Sequence, residues 1–379
     1  MWYQSSPRFE LGCHSLLTSR KAARLGIVLS SAILSAFVAC SGDGDGVGKT
    51  AANDSDAQSA SDSAPLVLDG SAVIPPDAMP EAGDTGPTRL ASVLGLRTIV
   101  REGTRVYYSN GNSLGFVETA GGAPVTILAG LTKMTGALTV RDNFVYFSDS
   151  TQTDKYATER VAVAGTSRKL LADWFYSWEV GVLGANAYLW NPCFTTNTLC
   201  AGKSAGIVRI PADGTAGGTF LTSTASNVNH LVVTDEFVVW AEDDVIRSIP
   251  LAGGTAKTVA SEMARSLAVS ADGYAYWTRS TDDNKASISR AQAEGSSAVP
   301  QQLVAEDGYF DKVLVDGSDI YWLARPTLAD LASIKHATIG SPTTDMFFQS
   351  PPGRSVMSIA LDATTVYFAT GDGIYTLPR

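Results

Sequence analysis

Few side chains in this 379-residue sequence have the types and spacing that chemistry at a site requires. Beyond residue 40 the histidines are His230 and His336, which lie far apart in the sequence with no second ligand nearby. The sequence contains no zinc-ligand spacing, no nucleophile elbow and no phosphate-binding glycine loop. We therefore interpret both histidines as structural or surface residues, and we expect neither a metal nor a cofactor.

Two cysteines, Cys193 and Cys200, lie close together in the segment NPCFTTNTLCAG. In an exported protein such a pair is expected to form a disulfide. Closing so short a loop contributes roughly 2.5 kcal/mol in the chain-entropy model. We interpret the pair as a staple on a long loop, with a scaffolded recognition loop as the alternative.

Aromatic residues are concentrated in the segment DWFYSW, at residues 173–178. If two of them are exposed on one face, they can form a stacking platform for a sugar or a peptide. The alternative is that they pack inward. The candidate ligand-binding residues are Trp174, Tyr176 and Trp178, together with Asn191 next to the cysteine loop.

The N-terminal segment has the features of an export signal. Residues 25–38 (LGIVLSSAILSAFV) form an apolar run that follows Arg20, Lys21 and Arg24, and Ala39 and Cys40 come directly after it. The run is short for a permanent membrane span. We favour a signal after which Cys40 receives a lipid. The alternatives are simple cleavage with release and a retained membrane helix.

Residues 37–40 (FVAC) resemble the lipobox of bacterial lipoproteins. The resemblance implies that residues 1–39 are a signal peptide and that the sulfur of Cys40 carries a lipid, which attaches the protein to the membrane. We expect an exported protein of the bacterial cell envelope, with the outer membrane favoured over the inner one.

Residues 40–87 are rich in Gly, Ser, Asp, Ala and Pro and contain no aromatic residue. Such a segment buries too little apolar surface to offset its ordering entropy, so a disordered tether is predicted. Of the formal net charge of −10, this acidic segment accounts for most, because residues 41–88 hold nine acids against Lys49. Residues 88–379 have no excess of basic residues with which to bind a phosphate backbone, so nucleic acid is not expected as a partner.

A repeat runs through residues 88–379 and predicts their fold. Each copy has an apolar strand, a tight polar turn and a second strand that ends in large residues. Acids recur in or beside the first turn, and we interpret them as structural because Asp there bonds its own backbone. These acids are Glu102, Asp142, Asp235, Asp272, Asp316 and Asp362. The seven copies align on Tyr107, Tyr146, Leu189, Val239, Tyr276, Tyr321 and Tyr367.

The spacing of these copies suits a four-stranded blade, and glycines mark the turn between the third and fourth strands. The last copy ends one strand short, whereas residues 88–92 form an extra strand at the start. We therefore predict an all-β, seven-bladed β-propeller of four-stranded antiparallel blades, closed by this N-terminal strand. The aromatic pairs, such as Tyr276-Trp277, are expected to pack between blades.

The motif Tyr276-Trp277-Thr278 and the recurring aromatic pairs resemble those of YWTD, NHL and TolB-type propellers. The resemblance implies the fold far more than an activity. Long second turns, at 148–159, 191–206, 279–286 and 323–332, are expected to carry recognition. We expect a monomeric, non-enzymatic binding or scaffold protein that engages a protein or glycan through this face. The alternative is an envelope hydrolase or lyase with a carboxylate-based site at the central channel.

Lipidation is tested with the variant Cys40→Ala. We expect the variant to move from the detergent phase to the aqueous phase on detergent partitioning, because it lacks the acyl chains that hold the protein in a membrane. An unchanged membrane fraction would remove the lipoprotein interpretation.

Overall fold

The computed structural model describes residues 86–132, 134–152, 155–172, 179–191, 205–215, 217–295, 299–341 and 343–379. Every described residue belongs to one compact unit of the chain.

Seven four-stranded antiparallel sheets make up the described structure, and each forms one blade. Blades 1–3 contain β2 (Thr98–Glu102), β3 (Arg105–Ser109), β4 (Ser113–Glu118) and β5 (Val125–Ala129); β6 (Met134–Arg141), β7 (Phe144–Gln152), β8 (Lys155–Ala162) and β9 (Lys169–Ala172); and β10 (Val180–Leu183), β11 (Asn186–Asn191), β12 (Gly206–Pro211) and β13 (Thr219–Ser223). Blades 4–6 contain β14 (Val228–Val233), β15 (Phe237–Glu242), β16 (Val245–Pro250) and β17 (Lys257–Ala260); β18 (Ser266–Val269), β19 (Tyr274–Ser280), β20 (Lys285–Gln292) and β21 (Gln301–Asp307); and β22 (Tyr309–Asp316), β23 (Asp319–Arg325), β24 (Ser333–Thr338) and β25 (Thr344–Phe348). Blade 7 combines β26 (Ser358–Leu361), β27 (Thr365–Thr370) and β28 (Gly373–Pro378) with β1 (Thr88–Ala91).

The N-terminal strand closes the ring, as the sequence predicts. Strand β1 pairs antiparallel with β28, with Thr88 opposite Thr376 and Ala91 opposite Ile374. The backbone N–H of Gly95 also donates to the carbonyl of Gly371, at 2.9 Å. Because β1 covers the open edge of β28, blade 7 has the same four strands as the other blades.

The first strands of neighbouring blades contact one another in sequence, from β2 through β6, β10, β14, β18 and β22 to β26, and β26 contacts β2. They therefore surround a central channel. Side chains bond these strands across blades: the N–H of Ile99 donates to Ser358 Oγ at 3.2 Å, and the N–H of Val313 donates to Ser266 Oγ at 3.1 Å. These bonds use backbone groups that the innermost strand of a blade would otherwise leave without a sheet partner.

The core consists of apolar layers between neighbouring blades. In blade 5, Tyr276 packs in the layer shared with blade 6, whereas Trp277 packs in the layer shared with blade 4. Both rings are fully buried. The pair therefore serves both faces of its sheet, because successive side chains on a strand point to opposite faces.

The predicted alignment is wrong by one residue in blade 3. Leu189 packs toward blade 2, as Trp277 does toward blade 4, and Tyr188 packs toward blade 4 in the position of Tyr276. Leu183 pairs with Asn186 across a two-residue turn, so Tyr188 is the third residue of β11. Three large residues in succession, Tyr-Leu-Trp, made the sequence register ambiguous.

The links between blades and the second turns lie on one face, which we name the second-turn face. The N–H of Leu131, in a link, donates to the carbonyl of Asn112 in a second turn, and the N–H of Val356 donates to Ala332 in the same way. The first and third turns lie on the opposite face, and third-turn glycines such as Gly121 and Gly253 adopt positive φ angles of 89° and 88°.

One predicted long turn is an extended hairpin instead. Strands β7 and β8 continue to Gln152 and from Lys155, so most of 148–159 is paired, with Ser148 opposite Thr158 and Asp149 opposite Ala157. Ser148, Asp149, Thr158 and Glu159 are buried. The second turns of blades 5 and 6 are shorter than predicted, at 281–284 and 326–332.

Replacing residues 88–91 with Gly-Ser-Gly-Ser tests the closure. We expect the midpoint of thermal unfolding to fall by about 4–12 °C, which corresponds to about 2–3 kcal/mol for a domain of this size. Aggregation should increase because the edge of β28 becomes unpaired. The control is the same replacement at residues 80–83, in the predicted tether; equal midpoints for the two variants would contradict closure by β1.

Candidate functional site

The central channel contains two cavities that share wall residues. One cavity, of about 630 Å³, lies at the second-turn face, and the other, of about 810 Å³, lies at the first-turn end. Lys312, Leu314 and Val315 of β22 line both cavities. The two cavities are therefore two halves of one channel, and Lys312 lies between them.

Five blades contribute side chains to the cavity at the second-turn face. Most of its wall is apolar, and the charged or ionisable groups lie at the starts of the first strands. We name these groups the mouth cluster; they are Glu179, His230, Arg265, Asp311, Lys312 and Arg325. Each group comes from a position next to or within a first strand, except Arg325, which ends the second strand of blade 6.

Glu179 joins blade 3 to blade 4. One carboxylate oxygen accepts the backbone N–H of Leu231 at 2.6 Å, and the other lies 3.0 Å from Nδ1 of His230. The carboxylate thus occupies the place that Ser358 and Ser266 take at other blade interfaces, where a side-chain oxygen accepts the N–H of the next blade. The Glu179–His230 pair is therefore part of the blade contact as well as of the mouth.

A β-bulge places Lys312 in the channel. Phe310 pairs with Ala324 and Val313 with Trp322, so Asp311 and Lys312 face a single residue of β23. A bulge of this kind redirects a side chain away from the regular alternation. The bulge is fixed at its first residue, because Thr278 donates its hydroxyl proton to the Asp311 carbonyl at 2.8 Å.

Charges at the mouth are only partly paired. Arg325 forms an ion pair with Asp311, and His230 contacts Glu179. Among the described residues no ion pair engages Lys312 or Arg265, although Arg265 lies 5.8 Å from the centroid of the Tyr309 ring. Apart from His230, three basic side chains, those of Arg265, Lys312 and Arg325, face the two carboxylates of Glu179 and Asp311. The mouth is therefore net positive on a propeller that is acidic as a whole.

Burial within the channel lowers the pKa of the Lys312 ammonium below its usual range. The carboxylate of Glu179 acts in the opposite direction and raises this pKa, but its effect is the smaller one. Removing an ammonium from water without an adjacent counter-ion disfavours its charged form. The charged form of Lys312 is therefore disfavoured relative to that of a lysine in water.

The first-turn end of the channel is organised differently, because its charges are paired. Arg379 forms an ion pair with Asp316, and Arg101 Nε lies 3.9 Å from the Asp362 carboxylate. Asp362 also accepts the N–H of Thr364 at 2.9 Å and the hydroxyl of Tyr367 at 2.7 Å. Burial of the ring, together with this contact, raises the pKa of Tyr367 to about 12. Asp362 thus has the structural role predicted for it.

The structure describes only some of the candidate residues named from the sequence. Asn191 ends β11 and is 1% exposed, which leaves it little surface to offer a ligand. His336 Nε2 lies 3.0 Å from Asp319, and its ring packs on Tyr321 in blade 6, away from the mouth. The remaining candidates lie outside the described residues: Cys40, Trp174, Tyr176, Trp178, Cys193 and Cys200.

Sequence reasoning missed most of the mouth cluster. His230 was noted but read as isolated, because its partner Glu179 lies 51 residues away in another blade. One signal was present: Asp311 and Lys312 interrupt the apolar first strand of blade 6 with two adjacent charges. Comparing the copies at this position would have revealed the extra residue of the bulge.

Exposed apolar side chains also occur on the second-turn face. Four of the eight large hydrophobic residues that are exposed in the described part of the chain lie in links or second turns. Three of the other four lie on outer strands, and Val299 lies at a third turn on the opposite face. The four on the second-turn face are Leu94, Met263, Leu328 and Met357.

Within the described residues, no group of three or more His, Cys, Asp or Glu side chains is arranged to hold a metal ion. The same part of the chain has no helix long and apolar enough to cross a membrane.

No family model and no curated protein matches this sequence. Solved structures share its fold. A catalytically inactive variant of virginiamycin B lyase from Staphylococcus aureus with quinupristin is 15% identical, with a TM-score of 0.56 over 78% of this chain and 98% of that chain. The extracellular domain of a hybrid two-component system from B. thetaiotaomicron is 10% identical, with a TM-score of 0.57 over 77% of this chain and 39% of that chain. Oligogalacturonate lyase in complex with manganese is 11% identical, with a TM-score of 0.52 over 72% of this chain and 85% of that chain. These similarities establish the β-propeller fold alone.

The variant Lys312→Met tests whether the channel destabilises this lysine. We expect the midpoint of thermal unfolding at neutral pH to rise by about 2–4 °C, the shift that about 1 kcal/mol produces in a domain of this size. The gain is full below the folded-state pKa of Lys312 and disappears as the pH rises toward the ordinary lysine pKa, where both states are neutral. Lys335→Met is the control, because Lys335 is paired with Glu306 and its loss should not stabilise the fold. A lower midpoint for Lys312→Met would contradict this account.

Proposed function

We propose that this protein is an exported binding protein of the bacterial cell envelope, held to the membrane by a lipid on Cys40. In this proposal the propeller engages its partner through the second-turn face. The partner is a protein or a glycan, and the outer membrane is the favoured location. The tether of residues 40–87 holds the propeller away from the membrane surface.

The observation that carries the proposal is the coincidence of two features on one face. The second-turn face has a cavity of about 630 Å³ with unpaired positive charge, and it also bears half of the exposed large hydrophobic side chains of the described residues. Exposed apolar groups around a concave polar site are typical of interaction surfaces. The first-turn end supports binding less well, because its charges are already paired.

The mouth cluster gives less support to a carboxylate-based enzyme. Such a site needs a free carboxylate, or two that share a proton. Of the carboxylates at the mouth, Glu179 accepts a backbone N–H and contacts His230, and Asp311 is paired with Arg325. Binding therefore remains the better supported function.

Affinity capture from the native envelope tests the choice of face. The full-length protein is compared with Leu328→Arg, which adds a charge to the second turn of blade 6, where Leu328 is 57% exposed. We expect this variant to lose the captured partner at least tenfold, because an apolar contact is replaced by a solvated charge.

The matched control is Ala271→Arg, which adds the same charge at an exposed position in a first turn. This variant should capture the partner as the unchanged protein does. Loss with Ala271→Arg and retention with Leu328→Arg would reverse the assignment of faces. If the unchanged protein captures no partner, the binding proposal itself is wrong.

A further inference from the structure

We infer that the mouth cluster is a binding site for a carboxylate, and that Lys312 is its main anchor. The ligand class that fits best is an acid with an apolar side chain, such as the C-terminal end of a peptide. This inference rests on the proposed function, since it assigns a ligand chemistry to the second-turn face.

The sign of the ligand charge follows from the pairing at the mouth. Asp311 and Glu179 already contact Arg325 and His230, so a cation would find no free carboxylate among the described lining residues. Lys312, in contrast, has an ammonium in the channel with no ion pair to a described residue. Lys312 is partly buried in the channel, and withdrawing an ammonium from water without a counter-ion is costly. A bound anion supplies the missing counter-ion.

The position of Lys312 indicates a site that is built rather than incidental. The β-bulge at Asp311 and Lys312 aims the side chain into the channel, and both ends of the bulge are fixed from blade 5: Thr278 holds the Asp311 carbonyl at 2.8 Å, and Ser266 accepts the N–H of Val313 at 3.1 Å. The ammonium is therefore positioned by rigid strands rather than by a surface loop.

The walls of the cavity favour an apolar acid over an acidic sugar. Around the charged groups the described lining is aliphatic, and it contains no Phe, Tyr or Trp ring on which a sugar could stack. A peptide end brings one carboxylate for Lys312 and one side chain for the aliphatic wall. The aliphatic lining residues that are at least partly exposed are Val232, Ala268, Val269, Leu314, Val315 and Met357.

Binding should depend on pH through the groups that face the ligand. Burial lowers the pKa of Lys312, so its charge is lost at a lower pH than that of a surface lysine, and affinity for a carboxylate should decline there. The other ionisable groups that face the ligand are Glu179, His230, Arg265, Asp311 and Arg325. Affinity is therefore expected to fall as the pH rises.

Calorimetric titration of the full-length protein in detergent tests the inference. The probes are the tripeptides Ala-Ala-Leu, Ala-Ala-Val and Ala-Ala-Phe as free acids, the same peptides with a terminal amide, and digalacturonate. We expect at least one free acid to bind, with at least tenfold weaker binding of its amide. Lys312→Met should weaken binding of that acid at least tenfold, and Lys312→Arg should retain part of the affinity.

Lys285→Met is the matched control, because Lys285 lies on an outer hairpin of blade 5 in an exposed pair with Asp307, and it should bind the acid as the unchanged protein does. Thermal unfolding of each variant shows whether it is folded, and Lys312→Arg keeps the test informative if Lys312→Met does not fold. Equal binding of acid and amide, equal binding by folded Lys312→Met, or no binding of any acid would overturn the inference. Preferential binding of digalacturonate would overturn the assignment to a peptide.

Envelope capture separates this inference from the proposed function. If folded Lys312→Met captures the same partners as the unchanged protein while Leu328→Arg does not, the second-turn face remains the binding face but the carboxylate site is wrong. If the unchanged protein captures nothing, the proposed function fails independently of the peptide titration.

Discussion

Packing between blades is the constraint on which the rest of this structure depends. Each sheet has two apolar faces, and it can bury both only between two neighbours, as Tyr276 and Trp277 do on opposite faces of blade 5. A ring satisfies this requirement for every blade, whereas an open row would leave two faces and an edge in water. Strand β1 completes the ring by adding the fourth strand to blade 7.

The channel is a consequence of this packing. The first strands surround the axis, and one edge of each has no sheet partner, so their backbone groups bond to side chains of the neighbouring blade instead. Ser266 and Ser358 do this with a hydroxyl group, and Glu179 does it with a carboxylate. The acid at this position also contacts His230 at the mouth, at 3.0 Å. A structural contact between blades thereby contributes a charge to the site.

The sequence was sufficient to predict the fold because each blade repeats the same demands. A buried pair of large residues and a glycine-containing third turn recur in the copies, and their period defined seven blades and the closing strand. The alignment failed only where local composition was degenerate, at Tyr188 and Leu189 of blade 3. The hairpin at 148–159 was missed because its buried positions are filled by Ser, Asp and Thr, which resemble turn residues.

The site could not be predicted in the same way, because its charged side chains do not repeat from blade to blade. Glu179, His230, Arg265 and Lys312 come from four blades, and only the closed ring brings them to one mouth. The bulge that directs Lys312 changes the register of β22 by a single residue, which is small beside the variation in blade length. The same two residues nevertheless decide the charge of the channel. The regular positions of the fold thus pack between blades. The irregular positions lie in the channel, where a ligand can reach them.

The proposed site depends on the charge of the Lys312 ammonium, and nuclear magnetic resonance titration of the lysine side chains measures that charge directly. The signal of Lys312 is assigned by its absence in Lys312→Met. We predict that it titrates at a lower pH than the other lysines and that a bound peptide acid moves its titration upward. Titration together with the exposed lysines, with no change when the acid is added, would contradict the account.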